Sequence, residues 1–147
     1  MEQAWLDELS YDECLALLEG HDVGRIAFTT ESWPAVFPIN YRLVRTDERV
    51  WIALRTRPDN VIERAPLKVA FQVDGVDPLH RQGWSVLARG TLHHIDVEST
   101  EARELYDPHP WILAERDSWL TIDAFMISGR RLHPASPEWA FHWSAYL

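Results

Sequence analysis

Short alternating segments, separated by turn signals about every ten residues, dominate this sequence. Strand-like runs cover residues 23–30, 35–44, 49–55, 67–73, 83–97 and 120–132. Runs of this length and spacing are typical of antiparallel sheets that close on themselves, and they alternate too rarely with helices for a parallel sheet. The sequence therefore predicts a mainly β fold: a small six-stranded antiparallel β-barrel with a few short helices.

Helix signals are fewer and shorter. Ser10 and Glu13 form a capping-box pattern before an apolar run, and Gly20 follows, which predicts a helix over 10–19. Weaker patterns predict short helices over 58–65, 99–106 and 110–116. A polar loop is expected over 74–82 and a bulge at Gly90. Pro38 is expected at a bulge, at a sheet edge or facing a ligand, because it cannot donate a ladder hydrogen bond.

Size and charge exclude several classes of protein. The 147 residues suit a single domain, with a core over 10–133 and an aromatic tail over 134–147. The net charge of −9 argues against a nucleic-acid or anionic-membrane partner, since both require a basic surface. The first residues have no signal-peptide pattern, and no apolar run approaches the roughly 20 residues of a membrane helix. We therefore expect a soluble, cytoplasmic protein.

Metal and nucleophile chemistry find little support in the sequence. Cys14 is the single cysteine and lies in the predicted helix, which favours a buried, inert thiol. His93 and His94 are adjacent, so on a strand they point to opposite faces and cannot chelate one ion. The sequence contains eight Trp, which can fill a barrel core or stack on a planar ligand.

One junction has the chemistry of an anion site. Arg55 and Thr56 end the third predicted strand, Arg57 follows, and Asn60 lies near the start of a short predicted helix. A strand that leads into a helix N-terminus presents backbone amides to a phosphate, and Arg binds phosphate through two parallel hydrogen bonds.

Several segments together resemble the FMN-binding split barrels of the pyridoxamine 5′-phosphate oxidase-like family. The resemblance rests on residues 23–28, 37–41, 51–56, 69–74, 83–90 and 127–132, in the family's order and spacing. It implies a homodimeric oxidoreductase acting on a small-molecule substrate, with a flavin at each end of the subunit interface. Mapped onto this sequence, the implied cofactor contacts are Phe37, Pro38, Ile39, Asn40, Arg55, Thr56, Arg57, Asn60, Trp84, Ser85, Arg130 and Arg131.

The sequence also departs from the family pattern. Many relatives have a lysine after the phosphate strand, and Val61 stands at that position here. The motifs of true pyridoxamine phosphate oxidases are not matched, so we expect another substrate. FMN is the expected cofactor, and a deazaflavin coenzyme or haem are the alternative cofactors. The alternative function is a binding module without enzymatic activity.

Overall fold

The computed structural model describes residues 3–57, 61–112 and 118–135. Asn60 and most of the aromatic tail lie outside these residues. The elements, in chain order, are β1 (Trp5–Glu8), α1 (Tyr11–Glu19), β2 (Val23–Thr30), β3 (Trp33–Asn40), β4 (Arg42–Arg45), β5 (Val50–Thr56), a 3-10 turn (Val61–Arg64), β6 (Leu67–Asp77), β7 (Gln82–His94), α2 (Thr100–Tyr106) and β8 (Ser118–His133). No helix among the described residues is long and apolar enough to cross a membrane.

The strands form one antiparallel sheet in the order β3-β2-β6-β7-β8-β5-β4, and β1 pairs with the far end of β8. Since β3 leads directly into β4, the chain joins the two ends of this order, and the sheet curls into an open barrel with β3 and β4 as its edge strands. Each of the six predicted strands is present, so the mainly β, antiparallel barrel is confirmed. The strand count differs because β1 was not predicted and the expected strand over 35–44 is two strands.

Tyr41 causes that division. Its side chain is buried, its ring packs edge-on against Phe71 with centroids 4.9 Å apart, and its hydroxyl donates to the Leu18 carbonyl at 2.5 Å. Burial, with a smaller contribution from Asp22, raises the pKa of the Tyr41 phenol. The chain turns inward at this residue, so β3 ends and β4 begins on either side of it.

The core lies between the inner faces of the strands and α1. The capping box at Ser10 and Glu13 is confirmed, with both reciprocal hydrogen bonds present. Cys14, Leu15 and Leu18 are buried. Burial, together with Glu13, raises the pKa of the Cys14 thiol, as expected of an inert core cysteine.

A β-bulge divides the β7–β8 pair into two halves. The register shifts between Arg89 and Gly90, which confirms the predicted irregularity. A Cβ at Gly90 would lie 2.2 Å from the Asp123 carbonyl oxygen, so only glycine fits there. Opposite it, Phe125 and Met126 are both exposed, although neighbours on a regular strand face opposite ways. The inward positions of β8 are therefore even-numbered before the bulge and odd-numbered after it.

Four local predictions differ from the structure where it describes them. The polar loop over 74–82 is mostly strand, because β6 runs to Asp77 and β7 starts at Gln82. The last strand-like segment before α2 ends at His94, not at residue 97. Of the helix expected over 110–116, residues 110–112 are not helical and residues 113–116 lie outside the described residues. The helix expected over 58–65 is a single 3-10 turn in its described part.

Candidate functional site

Arg55 lies near the end of β5 against an aromatic side chain. It pairs across the strands with Trp119 of β8, and its guanidinium carbon lies 4.3 Å from the centroid of the Trp119 ring. Trp119 is buried, with 8% of its surface exposed. Arg55 Nη1 donates to Asp107 Oδ1 at 3.1 Å, and both side chains are 24% exposed. The site is a stacked, partly desolvated guanidinium that holds an oxyanion.

Asp107 reaches Arg55 from the end of α2. Its carboxylate also accepts a hydrogen bond from the His109 amide at 2.9 Å. Burial alone would raise the pKa of Asp107, but the His109 amide and the Arg55 guanidinium outweigh it, and the pKa lies below its usual value. Asp107 is therefore ionised at neutral pH and neutralises Arg55.

Residues 107–112, which we call the strap, continue from Asp107 to β3. The Trp111 amide donates to Asn40 Oδ1 at 2.9 Å, and Asn40 Nδ2 donates to the Asp22 carbonyl at 3.3 Å. Trp111 is four positions beyond Asp107 in the sequence, which limits the separation of their Cα atoms to roughly 14 Å. The structure thus brings Asn40 and Arg55 into one neighbourhood, with the strap attached to both.

Thr56 does not face the same side as Arg55. Adjacent strand residues alternate, and Thr56, 1% exposed, lies opposite Ser118 on the inner face. Its hydroxyl has no hydrogen-bond partner in the part of the chain that the structure describes. Arg57 is exposed just beyond β5. The sequence grouped these three residues at one phosphate, but the alternation separates the side chains of the first two.

A second group of predicted residues lies along the outer face of the sheet. Pro38 pairs with Arg25, whose guanidinium binds Asp74 at 3.2 Å. Asp74 lies opposite Ser85 in the register, and Ser85 lies opposite Arg130. Pro38, Ser85 and Arg130 thus share one stripe that crosses five strands. Pro38 is on the edge strand β3, which fits one of the three positions expected for it.

The other predicted residues point inward. The Phe37 ring packs edge-on against Phe28, and Ile39 packs against the core. Trp84 lies opposite Arg131 and touches His21, with ring centroids 4.8 Å apart. Trp84 and Arg131 line a groove of about 410 Å³ at the turn end of the β6–β7 hairpin.

The groove of Trp84 and Arg131 lies far from Arg55 within the chain. Trp119, which stacks on Arg55, and Arg131 lie near opposite ends of β8. The twelve residue steps from Trp119 to Arg131 span up to roughly 40 Å of strand. The predicted residues therefore do not form one pocket within one chain.

Sequence analysis missed Trp119, Asp107 and the strap. Trp119 lies just before the predicted last strand, and Asp107 follows the predicted helix over 99–106, so neither belongs to a predicted functional motif. The one available signal was the Asp-Pro pair at 107–108, since Asp before Pro often begins a turn. Among the described residues no group of three or more His, Cys, Asp or Glu could hold a metal ion.

Comparison with known proteins identifies the class of fold and then the family. The family model described as pyridoxamine 5′-phosphate oxidase matches residues 10–131. An uncharacterised protein of Mycobacterium tuberculosis, Rv0080, is 32% identical over 133 residues, which cover 85% of this chain and 84% of that protein. The chain belongs to the pyridoxamine 5′-phosphate oxidase family, and its fold is the split barrel.

Solved structures agree with this fold. The FAD binding protein of Mycobacterium smegmatis is 29% identical with a TM-score of 0.70, covering 86% of this chain and 98% of that one. A protein of unknown function from Corynebacterium diphtheriae is 25% identical with a TM-score of 0.72, covering 87% and 98%. An FAD-binding protein of Mesorhizobium loti, 24% identical with a TM-score of 0.68, covers 88% and 98% and supports the fold alone.

Proposed function

We propose that this protein is a flavin-dependent oxidoreductase that holds the cofactor's phosphate at Arg55. The observation that carries the proposal is the contact between Arg55 and Asp107, in which a guanidinium stacked on Trp119 already binds an oxyanion. A carboxylate and a phosphate present similar oxygen pairs to the two donors of an arginine. The donor set at the end of β5 therefore fits a flavin phosphate.

Family membership and a relative at 29% identity that is named for FAD binding support the proposal. A bound flavin would supply the hydride or electron transfer, and the protein would bind and orient it. FMN is the cofactor implied by the sequence resemblance. FAD carries the same ring and the same first phosphate, so an arginine at that phosphate serves either nucleotide.

We further propose that the protein acts as a homodimer. The outer face has an exposed row in which Val36, Ala27, Ala70, Arg89 and Met126 lie side by side on five strands. Val36 is 63% exposed and Met126 46%, with Phe125 beside it at 75%. Exposed apolar side chains such as Val36, Phe125 and Met126 on one face of a sheet favour contact with another protein surface.

A second copy would also complete the site. Because Trp84 and Arg131 lie far along β8 from Arg55, they can reach the same cofactor only from the second subunit. A dimer that buries the outer face would bring the stripe of Pro38, Ser85 and Arg130 to the interface. This arrangement accounts for the distribution of the implied contacts over the two ends of the barrel.

Titration with FMN and with FAD, followed by flavin fluorescence, tests the cofactor proposal. Arg55→Ala should weaken binding by about 1–3 kcal/mol, a loss of roughly 5- to 150-fold. Arg49→Ala is the matched control, since Arg49 also contacts a Trp and an Asp on β5 and β8 but lies outside the site. Protein that binds neither flavin would refute the proposal, and an unchanged affinity in Arg55→Ala would place the phosphate elsewhere.

Sedimentation of the purified protein tests the dimer. We expect a dimer for the wild type, and a monomer with lost flavin affinity for the double variant Val36→Asp, Met126→Glu. Both side chains are exposed in the single chain, so the monomer should keep its fold, which circular dichroism would verify. A wild-type monomer that binds flavin at full stoichiometry would contradict the proposal.

A further inference from the structure

The strap occupies the polar side chains that the proposed cofactor site depends on. Asp107 holds Arg55 at 3.1 Å, and the Trp111 amide holds the Asn40 side chain at 2.9 Å. These contacts come from the two ends of a segment that sequence analysis did not connect with the site. The side chains expected to bind the cofactor are therefore engaged by the protein's own chain.

We propose that the strap is an internal competitor for the anionic cofactor: the Asp107 carboxylate binds Arg55 until the cofactor's phosphate replaces it. The inference rests on the proposed function and adds a means of regulating the same site. It assigns Asp107 a role in setting affinity, in addition to any part it has in folding.

Electrostatics oppose simultaneous binding of both anions. Asp107 and Arg55 are each only 24% exposed, so a phosphate beside them would be poorly screened from the carboxylate. A net charge of −9 adds to the cost of another anion, and Arg57 is the nearest further arginine along the chain. Displacement of Asp107 by a phosphate would replace one charge-assisted pair with another, so the partly buried Arg55 guanidinium would keep an anionic partner at this position.

Polar contacts fix the strap at Asp107 and Trp111, and Pro108 is its one buried residue. Its end at Asp107 is fixed to α2 by a hydrogen bond from the Asp107 amide to the Arg103 carbonyl at 2.9 Å. Beyond it, His109 has a positive φ of 48°, a backbone conformation uncommon for residues with a side chain. Trp111 and Ile112 are 72% and 62% exposed. The part of the strap beyond Pro108 is mostly exposed, and exposed segments of this kind open at a lower free energy than buried strands.

The test is the affinity of Asp107→Asn for FMN and FAD. This variant keeps the size of the side chain and removes its charge, and we expect the flavin to bind about tenfold more tightly. Asp123→Asn is the matched control, because Asp123 pairs with Arg49 at 3.0 Å on the same two strands. That variant should bind flavin as the wild type does.

A second variant examines the other end of the strap. Trp111→Pro removes the amide hydrogen bond to Asn40 at an exposed position and leaves Asp107 and Arg55 intact. We expect a two- to threefold gain in flavin affinity. Thermal unfolding of each variant verifies that it is folded, so a folding failure of one leaves the other to decide.

The outcomes separate the two proposals. Tighter binding in Asp107→Asn with no change in Asp123→Asn supports competition. Unchanged or weaker binding in Asp107→Asn, while Arg55→Ala still loses affinity, overturns the competition and leaves the cofactor site standing, with Asp107 positioning Arg55. The absence of flavin binding in the wild type refutes the cofactor proposal and, with it, the competition that rests on it.

Discussion

Two clusters on β5 and β8 combine an arginine, a tryptophan and an aspartate, and they differ in what surrounds them. In one, Arg49 lies 5.6 Å from the Trp51 ring centroid and binds Asp123 within the sheet. In the other, Arg55 lies 4.3 Å from Trp119 and binds Asp107 of the strap. The side chains of Arg49 and Arg55 are 60% and 24% exposed.

The comparison shows that residue types alone do not define a site. Arg49 is paired with a carboxylate on a neighbouring strand, which cannot move away without disturbing the sheet. Arg55 is paired with a carboxylate on a peripheral segment, and partial burial makes each charge more dependent on its partner. The second arrangement can exchange one anion for another, and the first is a surface ion pair.

The largest contrast should appear when the tryptophans are removed. Trp119→Ala should destabilise the protein by about 3–5 kcal/mol, because it empties a buried position. Trp51→Ala should cost about half as much, since that ring is only partly buried. Urea unfolding of both variants measures the difference. Equal losses would show that the environments of the two rings are energetically alike.

Substitution of the two aspartates should change the free energy of unfolding by less than substitution of the tryptophans. The change at Asp107 should also depend on pH. Asp107→Asn should lose about 1–2 kcal/mol of stability at pH 7. The pKa of Asp107 is lowered in the folded protein, so its contribution is complete above the unfolded-state pKa near 4 and is lost as the pH falls through the folded-state value. Urea unfolding from pH 7 down to pH 3 measures the difference between wild type and variant.

The stability difference between the wild type and Asp107→Asn should shrink as the pH falls. A difference that grows in acid would contradict the lowered pKa of Asp107. Asp123→Asn provides the comparison at pH 7. Its more exposed pair should contribute no more than about 1 kcal/mol.

The smallest effect is expected for Arg49→Ala. Exposed ion pairs are screened by salt, so the loss should be below about 1 kcal/mol and should diminish at high ionic strength. Thermal unfolding at low and high salt measures it. A large, salt-independent loss would mean that Arg49 is as strongly coupled to its partners as Arg55.

Sequence patterns were sufficient for the barrel and insufficient for the site. The capping box at Ser10 and the strand over 23–30 depend on local preferences, and both have the expected bounds. Arg55 was identified by its place at a strand end. Asp107 contacts Arg55 although the two residues are 52 positions apart in the sequence. No local sequence pattern predicts a contact between residues so far apart.

Side chains alternate between the two faces of a strand, and this explains why the predicted cofactor contacts lie on different surfaces. The sequence treated Phe37 to Asn40 as one set, but every second side chain of β3 faces the core. The same applies to the pair Trp84 and Ser85 on β7. A list of consecutive residues on a strand describes two surfaces, and only the sheet partners show which residues share a surface.

The bulge opposite Gly90 has a consequence for how the chain tolerates changes in length. One extra residue near Phe125 determines which face each later side chain of β8 points to. Because of it, Arg131 faces the groove and Arg130 faces outward. Deletion of that residue would turn each later side chain of β8 to the opposite face. Arg130 would then face the groove and Arg131 would face outward, although neither had been mutated. Homologues aligned across this point without a gap can therefore carry arginines at the same alignment column that serve opposite surfaces.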